Sequence, residues 1–185
     1  MNDLIYDQNK IPKGMWRYGL RSSAAAGCGW IATHNALRLM GYVPKPEKLI
    51  RAYARGFPLV NGVFGTFLLS PVLFFRNRGF RVKVTARREK FDRVLKGCDA
   101  GILFFHWRRK FKVSSHYAAV QYRDGHVFGY NTFRDSVGPE DYGDSLEDFV
   151  RRQKFIVPVL IGICDKKEHK RMVQKKNMEK RRVET

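Results

Sequence analysis

The stretch "HYAAVQYRDGHVFGYN", residues 116–131, limits the fold of this chain more than any other. Two runs rich in aromatic and β-branched residues flank Asp124-Gly125, a dipeptide suited to the positive φ angles of a tight two-residue turn. The segment therefore predicts a β-hairpin. A turn at that point makes paired positions sum to about 249, which sets His116 opposite residue 133. Asn131 is then a diagonal neighbour on the same face, within side-chain reach of His116.

The rest of the chain arranges itself around this hairpin. Ahead of it lie segments with helical patterning: 29–40 closed by Gly41, "VPKPEKLIRAYARG" closed by Gly56, and "GTFLLSPVLFFRNRG" closed by Gly79, its first part interrupted by Pro71. "FRVKVTA" then alternates as a strand, "RREKFDRVLKG" reads as a helix and "AGILFFHW" as a buried strand. "SLEDFVRR" is a short helix capped by Ser145, and "FIVPVLIGI" is a closing strand whose Pro158 favours an edge or a bulge. Helices first and antiparallel strands afterwards predict an α+β domain in two lobes. Residues 1–164 are expected to form that domain, with 1–20 as an extended lead-in. Residues 165–185 are expected to form a basic tail, flexible or a solvated helix.

Charge sets the class of partner. The chain carries 36 Lys and Arg against 17 Asp and Glu, a net of +19. The final 21 residues hold nine basic and four acidic side chains, so +5 lies in the tail and +14 on the body. Such a surface attracts polyanions, whether nucleic acid or another anionic polymer. No apolar run approaches the roughly 18–20 residues of a membrane span. "MNDLIYDQNKIPKG" lacks a basic start followed by an apolar stretch, so a cytoplasmic, soluble protein is expected. Cys28, Cys98 and Cys164 lie far apart without CxxC spacing. That argues against a zinc site and a disulfide framework, and Cys98 and Cys164 read as structural.

Cys28 is different. In "SSAAAGCGWIATHNAL" it stands between Gly27 and Gly29 at a helix start. Unpaired N–H groups and the helix dipole there favour a thiolate, and the glycines admit a substrate backbone. A nucleophilic sulfur also needs a base, and the base needs an acceptor to hold its tautomer. His116 and Asn131 are the candidates. His34 lies about 240° around the helix from Cys28 at 100° per residue and reads as a polar surface or interhelix residue. His106 and His126 read as structural or surface positions, and the basic, aromatic "HWRRKFKVSSH" as a loop, either merely solvated or an anion-binding or substrate-gating rim.

With Cys-Gly at a helix start, "HY" opening a strand and Asn closing the next, the chain resembles the papain-like cysteine peptidases. Within them it is similar to the bacterial branch of double-glycine-leader, bacteriocin-processing peptidases. The resemblance covers about residues 20–164. It implies a peptide or amide hydrolase working through a thioester, with Cys28 as nucleophile, His116 as base and acid, and Asn131 orienting the imidazole. It implies a peptide or protein substrate and no cofactor or metal. The Cys28 N–H would form part of the oxyanion hole, with Ser22, Ser23, Gly27, Gly29 and Trp30 as further oxyanion or substrate-binding candidates. The chain departs from the family at position 22, where Ser22 replaces a glutamine; Gln8 or Asn9 of the lead-in is then the substitute carboxamide. A second reading keeps the fold and makes the chain a weakly catalytic or inactive polyanion-binding protein.

Overall fold

The computed structural model describes residues 4–56, 66–109 and 112–166. The lead-in is not simply extended. It contains a 3-10 turn at Gln8–Lys10, then β1 (Arg17–Tyr18) and β2 (Arg21–Ser22), paired across Gly19, whose φ is 59°. A short helix, α1 (Ser23–Ala26), leads through Gly27 into α2 (Cys28–Leu39). Helix α3 (Pro46–Gly56) has the expected bounds. Helix α4 (Ser70–Arg76) is shorter than expected; Pro71 stands in its first turn, where a missing N–H costs no helical bond. There follow β3 (Arg81–Thr85), α5 (Phe91–Lys96), β4 (Ala100–Arg109), β5 (Lys112–Arg123), β6 (His126–Tyr130), β7 (Glu140–Asp141), α6 (Leu146–Arg152) and β8 (Ile156–Cys164). Ser145 caps α6 by accepting the Asp148 N–H.

Six strands form one antiparallel sheet in the order β3-β8-β4-β5-β6-β7. The hairpin register is the predicted one: Ala119 faces Tyr130 and Arg123 faces His126. Residues 107–109 and 112–114 are paired strand, so the expected rim loop is mostly the far end of the β4–β5 hairpin. Strand β8 lies between β3 and β4, so Pro158 is not on an edge strand. The β4–β8 register slips between Phe104 and His106, and the bulge accommodates Pro158. Of the expected basic tail, residues beyond Lys166 lie outside the described residues. Among the described residues no helix is long and apolar enough to cross a membrane.

The sheet is covered on both faces. Ile102, Phe104, Tyr117, Ala119 and Ile161 join the core that contains α2, whereas Leu103, Phe105, Ala118, Val120 and Leu160 join the core with α5 and α6. This explains why "AGILFFHW" is continuously apolar instead of alternating.

Helix α2 is buried from Gly29 to Leu37. Its polar residues therefore need internal partners. The Thr33 hydroxyl bonds that of Tyr53. Asn35 accepts the Ile5 N–H at 2.9 Å and donates to the Ile5 carbonyl at 2.7 Å, which fastens the lead-in to the helix. His34, read as a polar surface or interhelix residue, is not at the surface: it is 3% exposed and packs edge-on against Trp30.

Candidate active site

Cys28 is the first residue of α2 and retains partial exposure. Burial is nevertheless the largest influence on its thiol, pushing the pKa up to about 11. The N–H groups of Tyr117, Gly29 and Cys28 itself pull the other way without prevailing. The helix start therefore does not give a thiolate in the resting protein, contrary to the expectation from position alone. Solvation lost outweighs the dipoles gained.

The Tyr117 N–H reaches the sulfur because β6 stops early. Strand pairing ends at Ala119–Tyr130, and Asn131 turns out of the strand at φ 61°, so β6 has left the sheet before it can pair with Tyr117. Asparagine tolerates that left-handed conformation better than most residues. His116, one position before Tyr117, is 8% exposed. Its ring lies beside Phe105 and Trp107, on the face of the sheet away from α2.

The imidazole is held by Asn131, but not as the sequence suggested. His116 Nε2 lies 2.5 Å from the backbone oxygen of Asn131. A carbonyl only accepts, so Nε2 carries the proton and Nδ1 keeps its lone pair. Burial lowers the His116 pKa below the usual histidine range, and the bond to Asn131 offsets only part of that. Both groups are thus neutral at rest, and among the described contacts neither acts on the other.

The Asn131 side chain serves the lead-in. Its Oδ1 accepts the Gln8 backbone N–H at 2.8 Å, and its Nδ2 donates to Gln8 Oε1 at 3.3 Å. Gln8 Nε2 in turn donates to the Ala24 carbonyl at 3.1 Å. Asp7 fixes the same turn, accepting from the Asn9 N–H and side chain and from the Asp135 N–H, each at 2.8 Å. These bonds hold its carboxyl below the usual carboxylate range although burial opposes them. Gln8 is one of two lead-in carboxamides that the sequence offers as a substitute for the family's glutamine; Asp7 is not among the candidates. The Asp-x-Asn pattern at 7–9, an Asx-type turn signal, was the available clue.

Asn131→Ala is expected to cost about 2 kcal/mol, from an unpaired Gln8 N–H and an alanine forced to positive φ. Asn131→Gly removes the conformational part and should recover about 1 kcal/mol of that. Urea unfolding of both variants measures the difference; equal losses would contradict the strain argument.

The remaining candidates cluster around the start of α2. Trp30 is completely buried, stands edge-on to Trp16, and donates its indole N–H to Ser23 Oγ at 3.1 Å. It is core and lines no open cleft, and the Ser23 hydroxyl is engaged by it. Ser22 ends β2 half-buried, and its side chain makes no capping bond to α1. The glycines answer to packing. A Cβ on Gly27 would sit 2.5 Å from the Ser23 carbonyl and 2.7 Å from the Trp30 nitrogen, and one on Gly29 within 2.7 Å of three Thr66 atoms. Thr66 bonds both tyrosines beneath Cys28: its hydroxyl meets the Tyr18 hydroxyl, and its carbonyl accepts from Tyr117, each at 3.3 Å. His106, half-buried, bonds Ser115, and His126, exposed, bonds Asp141, which fits the structural or surface reading of both.

No family model matches the chain, and no curated protein does. Among solved structures it is similar to the peptidase domain of Streptococcus ComA, a bi-functional ABC transporter involved in a quorum-sensing pathway. The TM-score is 0.53 at 15% identity, over 81% of this chain and 100% of that domain. The fold is the α+β, papain-like one, a helical lobe followed by an antiparallel sheet.

Proposed function

We propose that this chain is a cysteine hydrolase that cleaves a peptide or amide bond through a thioester on Cys28. The observation that carries the reading is the end of β6. There the Tyr117 N–H reaches the Cys28 sulfur, while the Asn131 carbonyl fixes the tautomer of the adjacent His116.

The chemistry follows from the two neutral groups. Catalysis requires the His116 ring to meet the sulfur when substrate binds; Nδ1 then takes the thiol proton as the sulfur attacks the substrate carbonyl. The resulting imidazolium then gives that proton to the leaving amine, and water repeats the cycle on the thioester. Because the ion pair is not preformed, proton transfer accompanies attack. The base is lost only when His116 is protonated, so the acid limb of kcat/KM falls below the ordinary histidine pKa of about 6.5. A limb at or above that value would contradict a buried neutral His116.

Oxyanion stabilisation is assigned to the Cys28 N–H and the Gln8 carboxamide. Gln8 is tied to Asn131 and to Ala24, four residues before the nucleophile. One of its two amide hydrogens serves Ala24, which leaves the other for the oxyanion. Gln8→Ala is expected to lower kcat about 10²-fold. Its backbone bond to Asn131 survives, so the melting temperature should move by only a few degrees. A kcat within twofold of the parent would remove Gln8 from the mechanism.

Substrates follow the resemblance to double-glycine-leader peptidases, so peptides with a Gly-Gly cleavage site are the first panel. Acid quenching during turnover, followed by intact mass measurement, should show the acyl fragment on Cys28 and none on Cys98 or Cys164. Absence of turnover and adduct from a folded protein, with polyanion binding that weakens steeply in salt, would replace this reading with the polyanion-binding one.

A further inference from the structure

Cys98 and Cys164, separated by 66 positions, face each other with their sulfurs 2.8 Å apart. Sequence spacing suggested two unrelated structural thiols; the sheet makes them neighbours. Cys98 lies in the turn after α5, and Cys164 is the last residue of β8. The Asp99 N–H bonds the Ile163 carbonyl at 3.0 Å beside them, so backbone pairing fixes their separation. A Cβ on Gly162 would lie 2.8 Å from Cys98 Sγ, so a glycine there leaves room for that sulfur. Both sulfurs sit under basic side chains of β3: Arg81 is the register partner of Cys164, and Lys83 Nζ lies 3.4 Å from the Gly97 carbonyl, which Cys164 Sγ also meets at 3.4 Å. Cys98 is partly exposed and Cys164 is buried.

We propose that Cys98 and Cys164 form a reversible dithiol–disulfide pair, oxidised by a low-molecular-weight disulfide. Burial separates their roles. Cys98, the accessible sulfur, attacks one sulfur of the small disulfide, forming a mixed disulfide and releasing a small thiolate; its proton passes to Cys164. Cys164 loses that proton to the released thiolate and attacks the Cys98 sulfur, breaking the mixed disulfide and releasing the second small thiolate. One protein thiol, one protein thiolate and one small disulfide thus become one protein disulfide, one small thiol and one small thiolate. Cys164 suits the first step as the proton acceptor, since in the dithiol the Cys98 S–H, then Arg81 and Lys83, hold its pKa down to about 6. In the second step that S–H is gone, and Arg81 and Lys83 remain to favour the attacking thiolate. The bond would close the segment that contains His116 and Asn131, independently of whether those residues hydrolyse anything.

The test uses the full chain equilibrated in mixtures of reduced and oxidised glutathione, quenched with acid, alkylated and read by peptide mass spectrometry. The expected product is a Cys98–Cys164 cross-linked peptide two hydrogens lighter than its parts, with Cys28 unlinked and the bond reversed by dithiothreitol. The oxidised protein should melt on the order of 10 °C higher than the reduced one. A Cys98→Ser, Cys164→Ser double variant should melt at the same temperature in both buffers. Full alkylation of both cysteines after oxidation, or glutathione on each without a cross-link, would overturn the proposal.

Discussion

Replacing Cys28 with alanine is expected to lower peptide hydrolysis by about 10⁴-fold or more while lowering the melting temperature by only a few degrees. No other sulfur lies at the site, since Cys98 and Cys164 pair at the far end of β8. The substitution removes one polarisable atom at a partly exposed position and frees the Tyr117 N–H that the sulfur accepted, a loss of about 1 kcal/mol. Alkylation separates the contributions further. With the thiol pKa pushed up to about 11, Cys28 is neutral at pH 7. Its iodoacetamide rate should therefore climb about tenfold per pH unit through the neutral range. Cys164 should already have levelled off there if the reagent reaches it. His116→Ala should abolish turnover yet leave the resting alkylation rate of Cys28 unchanged, because backbone N–H groups, not the imidazole, act on the sulfur. A Cys28 rate already saturated at pH 7, falling in His116→Ala, would instead demonstrate a preformed ion pair.

The largest effect on stability is expected from Trp30→Ala, about 3–5 kcal/mol. Trp30 is wholly buried, makes an edge contact with Trp16 at a centroid distance of 5.5 Å, and satisfies Ser23. Gly27 has no side chain because the indole occupies that space. Removing the ring leaves a cavity under the turn that presents Cys28 and strands the Ser23 hydroxyl. For a chain of this length the melting temperature should drop by roughly 10 °C or more. Trp30→Phe should cost less, since it keeps most of the ring area and loses only the N–H. A loss under 1 kcal/mol for the alanine variant would mean that the lead-in collapses into the cavity and that Trp30 does not support the site.

Both predictions depend on how far each feature is encoded locally. The Asp124-Gly125 turn and its register, the Ser145 cap, the bounds of α3 and the position of Cys28 at a helix start were all legible. Each rests on residues within one hairpin or a few helical turns, where backbone preference and side-chain period act directly. The face on which His116 lies was also implicit in strand alternation. Its consequence was not, because alternation cannot say which face meets α2.

What the sequence determined by itself is the order of elements and the set of groups from which a site can be made: a cysteine between glycines, a histidine before a tyrosine, an asparagine at the end of the next strand. The tertiary structure alone decided their states and partners. Burial, which is a property of the packed whole, overrode the helix dipole and kept Cys28 protonated. The left-handed turn at Asn131 gave its carbonyl to His116 and its amide to Gln8, across 123 positions of sequence. The β3–β8–β4 order set Cys98 against Cys164. Such contacts depend on chain segments meeting at long range, and no local propensity or period records which distant segment will arrive.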